Sequence, residues 1–371
     1  MKKILTIIGT RPEAIKLAPV ILELKKYPER FHSLVCVTAQ HRELLDQVLS
    51  WFGITPDFDL DLMQENQQLA QFASRALIGL HEVLEKVSPE VVLVQGDTTT
   101  VMMAALASFY KKIPVGHVEA GLRTNDRYNP FPEEINRRVA GVLSTYHFAP
   151  TKRAAEALKA EQVPPEKIYV TGNTVIDALL WTIKCPVTLN LGFPLDEKRI
   201  ILVTAHRREN FGEPFISLCL GLRDIAERNT DVRVVYPVHP NPNVRKPVQQ
   251  ILSGHPRIHL LEPLRYEVFS HLMNRAYLIL TDSGGIQEEA PVLGKPVLVM
   301  RTTTERPEAI EAGTARLVGT DRERMVEETE RLLKNHEHYH RMASVQSPFG
   351  DGRAAERIVE ILRQKNNSIS C

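Results

Sequence analysis

A chain of 371 residues with 43% hydrophobic and 25% charged side chains carries enough apolar material for two ordinary cores, which excludes a fibrous or disordered class. Its formal net charge of +1 gives no electrostatic reason to expect nucleic acid or membrane partners. Cys36, Cys185, Cys219 and Cys371 contain no C-x-x-C pair, so neither a zinc site nor a disulfide framework is indicated, and a reducing cytoplasm fits.

The apolar run Ile4–Ile8 after Lys2 and Lys3 is too short for a secretory signal and reads as a first buried strand. Further short runs follow at Leu34–Thr38, Val91–Gln95, Val115–Val118 and Tyr146–Ala149. A second block has Ile200–Thr204, Val232–Val238, Leu278–Thr281 and Val297–Met300. Amphipathic segments separate them, the pattern of parallel sheets covered on both faces. No stretch approaches the roughly 20 apolar residues of a membrane span. The expected fold is therefore α/β, with two Rossmann-like doubly wound domains facing a cleft, over residues 1–170 and 171–352. A helix is expected from Val175 to Lys184, and a last one over about 353–371, with Ala354, Ile358, Ile361 and Leu362 on one stripe, returning to the first domain.

Ligands of open parallel sheets sit beyond the carboxyl ends of the strands, so the residues after each run carry the functional reading. After the first strand, Gly9-Thr10-Arg11-Pro12-Glu13 places Pro12 at a helix start and, through Pro12, biases Arg11 toward an extended conformation with its guanidinium aimed at an anion. Asp97 in Gly96-Asp97-Thr98-Thr99 and Glu119 in His117-Val118-Glu119-Ala120-Gly121 end neighbouring strands. Such carboxylates can divide acid and base duties, although Asp97 reads equally well as a helix N-cap. Pro132-Glu133-Glu134 opens a helix in which Glu133–Arg137 and Glu134–Arg138 have the i,i+4 spacing of surface ion pairs, with one glutamate able to face the site instead.

In the second block, His206 closes the first strand, where an imidazole can donate to phosphate or move a proton, or simply be structural. His239 lies in a Pro-bounded turn and reads as incidental. Thr281-Asp282-Ser283-Gly284-Gly285 followed by Ile286-Gln287-Glu288-Glu289 leaves free N–H groups at a helix start, suited to a diphosphate, with Glu289 placed to accept from ribose hydroxyls. No G-x-G-x-x-G with a following acidic residue succeeds the first strand and no P-loop is present, and His206-Arg207-Arg208 and the scattered aspartates show no metal-ligand spacing.

Together with Thr38-Ala39-Gln40-His41-Arg42, His206-Arg207-Arg208-Glu209 and Thr304-Glu305-Arg306-Pro307-Glu308, these motifs resemble, over essentially the whole chain, the non-hydrolysing UDP-N-acetylglucosamine 2-epimerases. The resemblance implies a glycosyltransferase-B-like fold, a homodimer without metal or nicotinamide, and a cytoplasmic isomerase that supplies N-acetylmannosamine units for surface polysaccharide. By motif match it implies UDP contacts at Arg11, His206, Phe269, Ser283, Gly284, Gly285, Glu289 and Arg306. The catalytic set it implies is Asp97, Glu119, Glu133 and His206. It further implies an activating second UDP-N-acetylglucosamine around Gln40, Glu43, Gln67, Glu134 and Arg207, with Glu43 standing where many activated members carry glutamine. The chemistry implied is elimination of UDP to 2-acetamidoglucal and re-addition on the other face. A glycosyltransferase with the same fold, a hydrolysing epimerase and a silent nucleotide-sugar sensor are the competing readings.

Overall fold

The computed structural model describes residues 1–38, 42–64 and 67–364. The chain forms two compact units, residues 1–181 with 349 onward in the first and residues 182–348 in the second.

In the first unit, strands and helices alternate from β1 (Lys2–Ile8) and α1 (Arg11–Lys25) through β2 (Phe31–Val37), α2 (Arg42–Trp51), β3 (Phe58–Asp59), α3 (Leu69–Val87) and β4 (Val91–Gln95). Then come α4 (Thr99–Tyr110), β5 (Val115–Val118), α5 (Glu133–Leu143), β6 (Tyr146–Ala149), α6 (Lys152–Ala160), β7 (Ile168–Val170) and α7 (Thr174–Thr182). The strands are parallel in the order β3-β2-β1-β4-β5-β6-β7. Every residue of β4 and of β5 is buried, as expected of central parallel strands with helices on both faces.

The second unit repeats the plan with β8 (Arg199–Thr204), α8 (Glu213–Arg228), β9 (Val232–Pro237), α9 (Pro242–Leu252), β10 (Ile258–Leu261), α10 (Tyr266–Arg275) and β11 (Leu278–Thr281). It continues with α11 (Gly284–Glu289), β12 (Val297–Val299), α12 (Pro307–Ala312), β13 (Ala315–Leu317), α13 (Arg322–Lys334) and α14 (His336–Ala343). Its parallel order is β10-β9-β8-β11-β12-β13. Both sheets are thus doubly wound and Rossmann-like, and in both the strand order reverses beside the first strand, at β1/β4 and at β8/β11.

The last helix, α15 (Ala354–Gln364), packs on α1 and buries Ala354, Ala355, Ile358, Val359 and Leu362. Its start is pinned by Asp177 of α7, whose Oδ1 accepts from the Ala355 N–H at 2.8 Å.

One local expectation changes. Helix α1 starts at Arg11 itself, with Pro12 as its second residue, so the extended residue is the N-cap Thr10. The first helical N–H groups lack intrahelical acceptors, so proline costs no bond at either position.

Candidate active site

The first unit gathers carboxylates at the ends of β1, β4 and β5. Beyond β4, Gly96 turns the chain with φ +82, and the following Thr98 caps α4 by accepting from the Val101 N–H at 3.3 Å. Asp97 is therefore released from the capping role. Its Oδ2 accepts from Arg137 Nη2 at 2.5 Å, and its backbone carbonyl accepts from Asn136 Nδ2 at 3.0 Å. Burial raises the Asp97 carboxyl above its usual range; Arg137 and Lys16 draw it back, while Glu119 and Glu133 push it up.

Glu119 follows β5 in left-handed backbone at φ +64, a conformation that costs a side-chain-bearing residue on the order of 1–3 kcal/mol and so calls for compensation. That compensation is a dense set of donors to a buried carboxylate. Lys16 Nζ lies 2.6 and 2.7 Å from its two oxygens, Asn173 Nδ2 donates at 3.0 Å, and Gln95 Nε2 donates as well. Two residues on, Gly121 sits at φ +92, and a Cβ there would come 2.2 Å from the Ala154 carbonyl. Only glycine satisfies both conditions.

Glu133 is the first residue of α5 and half-buried. Arg137, one turn along, is turned to Asp97 and to Glu134 at 3.5 Å, while Arg138 keeps its i,i+4 pair with Glu134 at 3.1 Å. Glu134 is fully buried and also accepts from the N–H groups of Thr124 and Asn125 at 3.0 and 3.2 Å. Its oxygens hold the polar loop that precedes α5.

Glu13 is a further buried carboxylate in the same region. It accepts from the Gly9 N–H at 2.5 Å and from the Thr10 hydroxyl at 3.1 Å. Burial pushes it up to about 7, partly offset by donors at Gly9, Thr98 and Thr10. Because this value exceeds the 4.5 of an ordinary glutamate, the folded chain holds the proton more tightly than the unfolded one. Stability from this group is fully present below pH 4.5 and is lost as pH rises through about 7. Glu13→Gln removes that slope, so urea titration should show wild-type stability falling relative to the variant by about 3 kcal/mol across this window. A wild-type-to-variant difference that stays constant with pH would contradict the assignment.

The second unit assembles a different set. Asp282, fully buried after β11, accepts through Oδ2 from the backbone N–H groups of His206 and Arg207, both at 2.8 Å. It thereby fixes the turn after β8. The His206 ring stacks on His239 with centroids 5.4 Å apart; burial lowers its pKa and Asp282 opposes that shift. His239, read as incidental, is thus the ring against which His206 is packed.

Ser283 occupies the N-cap position of α11 without a side-chain capping bond, and its own N–H donates to Thr281 Oγ1 at 2.9 Å. A Cβ at Gly284 would lie 3.8 Å from Arg207 Nη2 and 4.0 Å from Arg306 Cζ, so two guanidinium groups converge on this helix start. Arg306 is braced by Glu288, and Glu289 is buried at the end of α11. Phe269 is half-buried on α10. Arg11, on the first turn of α1, is half-buried in the first unit.

Of the residues matched to an activator, Gln40 lies outside the described residues. Glu43 is exposed on α2, and Gln67 accepts from Arg75 at 2.6 Å. Among the described residues no group of three or more His, Cys, Asp or Glu side chains is arranged to hold a metal ion. No described helix is long and apolar enough to cross a membrane.

Lys16, Gln95, Asn173, Arg137 and Glu13 join the site beyond the residues expected to carry it; Glu13 stood only within a motif and Arg137 only as an expected partner of Glu133. Gln95 and Asn173 had a readable signal: each is an amide next to a glycine at a strand end. Lys16 had none, because it meets Glu119 across 103 positions of sequence.

Known proteins sharpen this picture. Residues 23–363 match the model of the family described as UDP-N-acetylglucosamine 2-epimerase. The UDP-N-acetylglucosamine 2-epimerase of Escherichia coli (strain K12) is 55% identical over 377 aligned positions, covering 99% of this chain and 100% of that protein. A crystal structure of UDP-GlcNAc 2-epimerase from Neisseria meningitidis bound to UDP-GlcNAc superposes with a TM-score of 0.90 at 51% identity, covering 98% of this chain and 100% of that one. The enzyme from Methanocaldococcus jannaschii, in complex with UDP-GlcNAc and UDP, gives 0.79 at 35% identity, covering 97% and 99%.

Proposed function

Since this chain belongs to the UDP-N-acetylglucosamine 2-epimerase family, we propose that it interconverts UDP-N-acetylglucosamine and UDP-N-acetylmannosamine by eliminating and re-adding UDP. The observation that carries the reading is the cluster of Asp97, Glu119 and Glu133, with Lys16 and Arg137 as its counter-charges. Carbon 2 bears a proton that no neighbouring carbonyl acidifies. In the forward direction a carboxylate takes that proton, the bond from carbon 1 to the UDP oxygen breaks, and UDP leaves with the electron pair, giving 2-acetamidoglucal. Return of UDP to carbon 1, with a proton delivered to the opposite face of carbon 2, completes the inversion.

Removing and returning a proton on opposite faces calls for more than one acid–base group, and Asp97, Glu119 and Glu133 are the proposed pool. The nucleotide is assigned to Ser283, Gly284, Gly285, Glu289, Arg306 and Phe269, with Arg11 and His206 offsetting charge on departing UDP. Arg207, whose guanidinium approaches Gly284, fits this anion-binding group as well as the activator role implied by the motif match. Activation by a second substrate molecule, a cytoplasmic location and a role in supplying surface polysaccharide rest on the family resemblance and belong to the same proposal.

The test is to incubate purified protein with UDP-N-acetylglucosamine and separate products by anion exchange. UDP-N-acetylmannosamine with nucleotide sugar conserved supports the reading. Stoichiometric UDP and free sugar would replace it with a hydrolysing epimerase, and no product without an added acceptor would point to a transferase or sensor.

A homodimer is proposed on the resemblance and on apolar side chains exposed along α3, α4 and α5. Ile78, Phe109, Tyr110 and Val142 are 58%, 57%, 61% and 86% accessible, on helices that pack side by side. Analytical ultracentrifugation should give twice the chain mass, and Val142→Asp should shift it toward one; a wild-type monomer would remove the proposal.

A further inference from the structure

The backbone of Asp97 is held from both sides by side chains of the elements that carry the other two carboxylates. On one side, the Gly96 carbonyl lies 2.7 Å from His117 Nε2. A carbonyl only accepts, so Nε2 carries the proton and the buried imidazole is the donor. The Gly96 N–H is in turn bonded to the Val118 carbonyl at 3.1 Å, which ties both polar groups of the turn to β5. On the other side, Asn136 Nδ2 of α5 donates to the Asp97 carbonyl at 3.0 Å.

Both anchors lie close in sequence to a carboxylate. His117 precedes Glu119 by two positions, and Asn136 follows Glu133 by three. Nδ1 of His117 is buried and has no hydrogen-bond partner among the described residues, a cost that a purely packing side chain would not carry.

We propose that His117 and Asn136 are positioning residues that fix Asp97 at its working distance from Glu119 and Glu133. This rests on the epimerase reading and deepens it. His117 is not an acid–base group in this role: burial lowers its pKa to about 4, so the donor persists through neutral pH.

The test compares His117→Met, which has no donor, with His117→Gln, whose amide can place a donor near the same point, and with Asn136→Leu. His117→Met and Asn136→Leu should lower kcat by about 10- to 100-fold, the scale of an ångström-level misplacement, with KM and UDP affinity within about twofold. They should also move the pH–rate limb that reports the carboxylates. His117→Gln should recover kcat to within about threefold and keep the wild-type limb. Unchanged kcat in His117→Met, or equal loss in His117→Gln, would overturn the role of His117. If His117→Met fails to fold, Asn136→Leu carries the test through the second anchor.

Wild-type turnover is measured first, so that its absence strikes the epimerase reading alone. In that event the ¹³C-NMR titration of the Asp97 carboxyl decides. Its midpoint should shift in Asn136→Leu relative to wild type, and an unshifted midpoint would overturn the positioning role.

Discussion

Asp97→Asn is expected to lower kcat by about 10²- to 10⁴-fold, the range for loss of a general acid–base group, and to leave UDP affinity unchanged. The substitution is close to isosteric. Its amide oxygen can still accept from Arg137 Nη2, and the backbone bond from Asn136 is untouched, so the turn after β4 should survive. What disappears is the ability to take and return a proton. Burial holds this carboxyl above the usual range, which brings it closer to the neutral pH at which proton transfer is most effective. Parallel kinetics and UDP calorimetry check the expectation. A kcat within threefold of wild type would withdraw Asp97 from the catalytic pool.

Lys16→Met should be the most destabilising single change in the site. The Lys16 and Glu119 side chains are 18% and 5% accessible, and the ammonium spans both carboxylate oxygens. Removing it leaves a buried carboxylate to the Gln95 and Asn173 amides. Breaking one side of a buried pair costs about 3–5 kcal/mol, whereas an exposed pair is worth about 1 kcal/mol or less. Urea unfolding distinguishes the two magnitudes. Adding Glu119→Gln removes the uncompensated charge, so the double variant should regain more than half of the loss, a coupling read from the mutant cycle. A loss below about 1 kcal/mol, or strict additivity, would show that the pair does not organise Glu119.

The interior of both sheets was legible because its strands are short, largely apolar runs. Ile4–Ile8, Val91–Gln95, Ile200–Thr204 and Leu278–Thr281 all lie in strands where the runs place them. The strands that escaped were β3, β7, β10 and β13, and these are the edges of the two sheets. Edge strands are short and partly solvated: Ile168 and Tyr169 are half-buried and Val170 is exposed, so no apolar run marks them.

The candidate site divides in the same way. Asp97, Glu119, His206 and Ser283 stand directly after apolar runs, which is why topology alone draws attention to them. Whether Asp97 caps α4 could not be read, since Asp97 and Thr98 are both good caps and geometry chose Thr98. The left-handed backbone of Glu119 and the approach of Lys16 from α1 depend on packing between elements far apart in sequence. The i,i+4 rule predicted the Glu134–Arg138 pair correctly but misdirected Arg137, because the half-buried carboxylate of Asp97 lies within its reach.

Inversion through elimination of UDP is tested by turnover in deuterated water of substrate labelled with ¹⁸O in the oxygen joining carbon 1 to the diphosphate. Deuterium is expected at carbon 2 of UDP-N-acetylmannosamine, with migration of the label from the bridging to the non-bridging oxygens of the β-phosphate and little free UDP. Inversion with the label still in the bridge would contradict it, because the bond from carbon 1 to UDP would then never have broken.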